Sequence, residues 1–206
     1  MGKPAVEDLK LYSTDLRQYF VDAIESASKS QRVELDDHTQ SYLAELLFGF
    51  SDARPEARPD LGTLMDRPVA LQLSEAMSAP PGRRFKALKH IGDYCLYLTG
   101  FFHQALHRKP VSPSYYMDVG GGAYMRAARS LNDRTGDNPF VALFRNLAVR
   151  FDELVEVINA ISEDCFNRDP DILRLYDRFL ETGEPRLAAR LTTLGVVLPG
   201  DGAVLQ

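Results

Sequence analysis

Residues 94–102 read Tyr-Cys-Leu-Tyr-Leu-Thr-Gly-Phe-Phe, a run that is apolar on nearly every side when wound into a helix. A helix with no polar face has to be enclosed by other helices. The run lies inside a longer periodic stretch, about 83–108, where Phe85, Leu88, Ile91, Cys95, Leu98 and Phe102 recur at three- and four-residue spacing. This stretch is expected to be one buried central helix. At nine residues the apolar run falls far short of the roughly 20 needed to span a bilayer, so no membrane segment is expected.

The same periodicity recurs along the chain. A first helix is expected from Ser13 or Thr14, with Leu16, Phe20, Ala23 and Ala27 on its inner face. Val33 and Leu35 suggest a short extended piece. Asp36 or Asp37 then caps a second helix that turns Tyr42, Leu43, Leu46, Leu47 and Phe50 inward. Residues 51–63, with Pro55, Pro59 and Gly62, read as a long loop. Pro68 opens a third helix ending near Ala79, and Ser112-Pro113 opens a fifth. Asn138-Pro139 opens a sixth, whose Phe140, Phe144, Leu147, Phe151, Leu154, Ile158 and Ile161 alternate steps of four and three over six turns. Such a seam suits a coiled coil or a bundle core, and the bundle is preferred. A seventh helix from Asp169-Pro170 and a last one from Pro185 complete the reading. Strand alternation and fixed-period repeats are absent from the sequence. The expected fold is an all-α, single-domain bundle of about seven or eight helices. Residues 1–12 form an arm, 13–195 the helical domain and 196–206 a loose tail.

The chain has 206 residues and a net charge of −5, which argues against a general nucleic-acid binder. The charge is segregated. Arg83 to Lys109 holds six Lys and Arg against Asp93 alone, whereas Arg150 to Glu184 holds ten acids against four arginines. Cys95 and Cys165 have no CxxC partner and sit in apolar helical patterns, so free thiols and a cytoplasmic location are expected. The N-terminus has no charged-then-apolar leader pattern.

Chemistry-bearing candidates cluster in the fifth helix, where Gly120, Gly121 and Gly122 stand in succession. Three glycines in a helix interior cost on the order of 3 kcal/mol relative to alanine. Close approach of a neighbouring helix, a kink, or a ligand resting on bare backbone would offset that. Tyr116, Asp118 and Tyr124 flank the trio, and Asp93 interrupts the apolar central helix with Lys89 one turn before it. Asp93 and Asp118 facing one pocket could serve as acid and base or hold a cation. His103 and His107, at i and i+4, could share a metal. No phosphate-loop, HExxH or G-x-S-x-G pattern is present.

The reading is therefore a soluble binding protein without recognisable catalytic machinery, acting through a protein partner or self-association. The alternative is a small-molecule, haem or metal site between the central helix and the glycine helix. Neither a cofactor nor a substrate is specified by the sequence.

Overall fold

The computed structural model describes residues 6–51, 67–106, 111–132 and 138–168, with Arg178, Thr182, Glu184, Arg186 and Leu187. Its helices run Val6–Gln31 (α1), Asp37–Ser51 (α2), Val69–Ser78 (α3), Pro81–Phe101 (α4), His103–Leu106 (α5), Pro113–Asn132 (α6), Pro139–Val149 (α7) and Phe151–Arg168 (α8). The architecture is an all-α bundle, as expected, and no strand occurs among the described residues. Nor is any helix among them long and apolar enough to cross a membrane.

The helix at the centre is α4, enclosed as its composition requires. It packs most extensively on α6 and then on α8, with α3 and α2 closing the remaining sides. Leu88, Ile91, Cys95, Leu96 and Phe102 are buried, while Phe85 and Leu98 pack half-buried against the same core. The helix stops at Phe101, not near residue 108, and His103–Leu106 forms a separate short turn. One carbonyl of its last turn finds another partner there: Ser162 Oγ of α8 donates to the Phe101 carbonyl at 2.7 Å. The ring of Phe101 also stacks on Tyr97 at 5.4 Å, which in turn stacks on Phe50 at 4.3 Å. Tertiary contacts thus end a helix that its local sequence would continue.

The expected sixth helix is two helices. Arg150 leaves helical geometry (φ −102°, ψ 21°) and turns a corner between α7 and α8. The corner keeps its hydrogen bonds, with Arg150 N–H donating to Asn146 O and Leu154 N–H to Arg150 O, both at 3.0 Å. Arg150 also pairs with Glu153 at 2.6 Å in the first turn of α8, where Asp152 and Glu153 meet a favourable helix dipole. Phe144, Leu147, Phe151, Leu154, Ile158 and Ile161 are all buried, so the seam is core rather than a coiled-coil surface. Phe140 alone of that pattern is exposed.

Two local devices set the α1–α2 connection. α1 begins at Val6, ahead of the Ser13–Thr14 start. It ends in a Schellman-type cap, with Arg32 at φ 58°, Arg32 N–H on Lys29 O at 3.2 Å and Val33 N–H on Ser28 O at 2.9 Å. Val33 and Leu35 lie in the short non-helical connection and pack half-buried on the core. Asp36 then caps α2, accepting from Thr39 N–H and Thr39 Oγ, each at 2.9 Å. The Thr39 backbone N–H holds the Asp36 carboxyl below its ordinary range. Asn146 of α7 donates to both Asp36 and Thr39 at 3.1 Å, fastening α7 to the start of α2.

α6 is one continuous helix through all three glycines. The expected loop beyond Ser51, the helices from 169 to 195, the 196–206 tail and His107 lie outside the described residues, apart from the five named above.

Candidate functional site

Several of the glycines lie where a neighbouring helix presses on bare backbone. A β-carbon on Gly120 would stand 2.5 Å from Phe151 Cζ and 2.6 Å from Cys95 Cβ, so α6 meets α4 and α8 there through bare backbone. Gly121 approaches the end of α7, its would-be β-carbon 3.3 Å from the Ala148 carbonyl. Gly122 differs: the near atom there is Nη1 of its own Arg126, which donates to the Gly122 carbonyl at 3.0 Å. On α4, Gly92 accommodates the ring of Tyr124. Close packing is therefore the physical reason for Gly92 and Gly120.

That packing brings Asp93 and Tyr124 together. Asp93 is buried, and its Oδ1 accepts hydrogen bonds from Tyr124 of α6, at 2.8 Å, and from Tyr42 of α2. Oδ2 accepts from Lys89 Nζ at 2.5 Å, the one-turn pair expected on α4. Lys89 Nζ also lies 5.1 Å from the centroid of the Tyr42 ring. The rings of Tyr42 and Tyr124 flank Phe144 at 5.6 and 5.7 Å. Burial, reinforced by the Asp93 charge, pushes both phenols well above their ordinary value, so at neutral pH they are hydroxyl donors. Three donors from three helices close on one carboxylate, and a network satisfied in this way fixes how α2, α4 and α6 stand against one another.

The other candidates disperse. Asp118 is exposed, so it does not share an interior pocket with buried Asp93, and the paired-carboxylate expectation fails. The reason is angular: Tyr124 takes the inward face of α6, and Asp118, six residues earlier, falls on a different side. Tyr116 is half-buried beside Tyr115, ring centroids 5.3 Å apart. Its phenol is raised first by burial and then by Cys95 and Tyr115. His103 is half-buried on α5. Among the described residues no group of three or more His, Cys, Asp or Glu side chains could hold a metal ion. Cys95 and Cys165 are free thiols, the first buried and raised above its ordinary range by that burial.

Sequence reasoning passed over a second feature, a groove of about 510 Å³ between α1 and α8. Tyr19, Asp22, Ala23, Ser26, Ala27 and Ser30 form one wall. Ala160, Ile161 and Asp164 form the other. Beside it, Tyr19 Oη and Cys165 Sγ are 3.1 Å apart. From Tyr19 to Ser30 the α1 wall runs about 16 Å, or three helical turns. The signal in the sequence is the set of small residues at positions 23, 26, 27 and 30, of which Ala23 and Ala27 alone belong to the expected inner face of the first helix. Tyr42 points inward as its spacing predicts, and its hydroxyl, which the spacing does not assign, reaches Asp93.

No protein-family model, curated protein or solved structure matches this chain.

Proposed function

We propose that the chain is a soluble, cytoplasmic binding protein that acts by docking a protein partner in the α1–α8 groove. The groove carries the reading. It is three turns long, and its small side chains at Ala23, Ser26, Ala27 and Ala160 would let a partner helix approach closely. The free thiols of Cys95 and Cys165 accord with a reducing compartment.

The alternative, a small-molecule, haem or metal site between α4 and α6, draws support from the contact of Tyr124 with Asp93. It is weakened by the occupation of both glycine faces: Tyr124 fills the space over Gly92, and Cys95 and Phe151 fill that over Gly120.

The test is native mass spectrometry of protein purified gently from its source, comparing wild type with Ser26→Trp. Ser26 is exposed, so the substitution fills the groove without entering the core. A partner or second copy present in the wild type and lost in the variant, at unchanged melting temperature, supports the reading. A complex that persists in the variant, or a monomer carrying a stoichiometric small molecule or metal, overturns it.

A further inference from the structure

Gly122 lacks the packing reason that Gly92 and Gly120 have. It is half-exposed, and among the described residues only the side chain of its own Arg126 comes near the place of a β-carbon. A helical glycine that no neighbouring helix needs costs about 1 kcal/mol, and its bare backbone leaves room for a helix from outside. Tyr115, Asp118, Arg126 and Arg129 share its face of α6, the first two before the glycine and the last two after it at matching distances. Asp118 and Arg129 are exposed and have no hydrogen-bond or ion-pair partner among the described residues. Arg126 donates to the Gly122 carbonyl of its own helix at 3.0 Å. Beside this face, Gly121 lies against the Ala148 carbonyl, and the next residue, Val149, is 76% exposed. No other large hydrophobic among the described residues is as open to solvent.

We infer that this face of α6 receives the same face of a second copy of the chain, antiparallel, with the two helices crossing at Gly122. The order of charges selects both the occupant and the direction. An acid one turn before the glycine and an arginine one turn after it complement themselves when the helix is reversed. Asp118 of each copy then meets Arg126 of the other, about 6 Å along the axis from the crossing. Arg126 exchanges an intrahelical carbonyl for a carboxylate, and Arg129 reaches the Tyr115 ring of the second copy. A parallel pair would instead set arginine against arginine and Asp118 against Asp118. The absent β-carbons let the axes come closer than the usual separation of about 8–10 Å. One helix pair buries less than the roughly 1,200 Å² of a stable complex, so the dimer is weak, with a dissociation constant on the order of 0.1 mM. The α1–α8 groove lies on other helices, and at the micromolar concentrations of native mass spectrometry this dimer is dissociated.

The experiment is sedimentation equilibrium of the recombinant full chain up to millimolar concentration, for wild type, Asp118→Arg and Arg126→Asp. Each variant alone sets like charges across the crossing twice and is expected to dimerise at least about tenfold more weakly. Mixed in equal amounts, the two variants restore opposite charges at both contacts, so a heterodimer of near wild-type affinity is expected. Added salt should weaken it. A wild type that stays monomeric at millimolar concentration overturns the inference. So does a dimer that survives either charge reversal, or a mixture that forms no heterodimer although both variants keep the wild-type melting temperature. If a reversal lowers that temperature, Gly122→Ala decides. Weakened dimerisation with the monomer fold intact supports the contact, and unchanged dimerisation overturns it. Failure here leaves groove docking standing, because Ser26 is on a different surface.

Discussion

The ring of Tyr124 occupies the space that a β-carbon on Gly92 would need, with Cδ1 and Cε1 each 2.5 Å from that position. Neither side can yield easily. Tyr124 is fully buried, and its hydroxyl is held by Asp93, the residue that follows the glycine. Gly92→Ala must therefore displace an aromatic ring that a hydrogen bond also anchors. The expected loss is about 1–3 kcal/mol, the range for overpacking a filled core. Urea unfolding measures it, and an unchanged midpoint would mean that the ring has room the structure does not show.

The phenols of Tyr42 and Tyr124 tie stability to alkaline pH. Both are raised above the ordinary value of 10.0, first by burial and then by the charge of Asp93. Above pH 10 the unfolded chain releases these protons while the folded chain keeps them, so the folded state binds more protons. Stability is then complete below about pH 10 and falls as pH rises, by up to about 1.4 kcal/mol per pH unit for each phenol. Tyr42→Phe and Tyr124→Phe should each flatten that slope. At neutral pH each should cost about 1.5–3 kcal/mol, the scale of a hydrogen bond to a charged group. A slope untouched by either substitution would assign the alkaline loss to other tyrosines, Tyr94 and Tyr116 among them.

Arg32 offers the opposite sign. It closes α1 in the left-handed region, at φ 58°, with its side chain exposed. A residue with a β-carbon is disfavoured there by about 1–2 kcal/mol, and glycine carries no such penalty. Replacing Arg32 by Gly also loosens the unfolded chain, which offsets part of the gain. The net expectation is a stabilisation of about 0.5–1 kcal/mol, read as a raised melting temperature. A lowered melting temperature would show that the Arg32 side chain contributes more than its backbone costs.

The helical class was legible because buried faces write a three- and four-residue period into the sequence, and an apolar run such as residues 94–102 has few other resting places. Helix ends were less legible where distant residues decide them. Ser162 receives the end of α4, and the α7–α8 corner at Arg150 interrupts a period that continues on both sides of it. The site was legible in part. Asp93 stood out as an acid in an apolar helix, and Lys89 as its one-turn partner. Tyr42 did not, because a tyrosine on an inward face reads as a ring, and its hydroxyl acquires meaning only when α2 is placed against α4. The α1–α8 groove needed the same long-range information, since small residues mark a space only once the opposite wall is known.

The three successive glycines divide by position, and the division is measurable. Gly120→Ala would set a β-carbon against Cys95 Cβ and the Phe151 ring, in the middle of the α4–α6–α8 contact. Gly121→Ala would press on the Ala148 carbonyl from 3.3 Å, a contact that a few tenths of an ångström relieves. Gly122→Ala would meet only the far end of the long Arg126 side chain, at 2.7 Å from Nη1, which can swing aside at the expense of its bond to the Gly122 carbonyl. Alanine in a helix interior gains about 1 kcal/mol over glycine before any clash is counted. The expected order is thus a loss of about 1–3 kcal/mol at position 120, a near-neutral change at 121 and a gain of up to about 1 kcal/mol at 122. Chemical denaturation of the three variants reads that order directly. A uniform loss at all three would mean that the backbone of the whole segment is in use, and would return attention to a ligand lying over it.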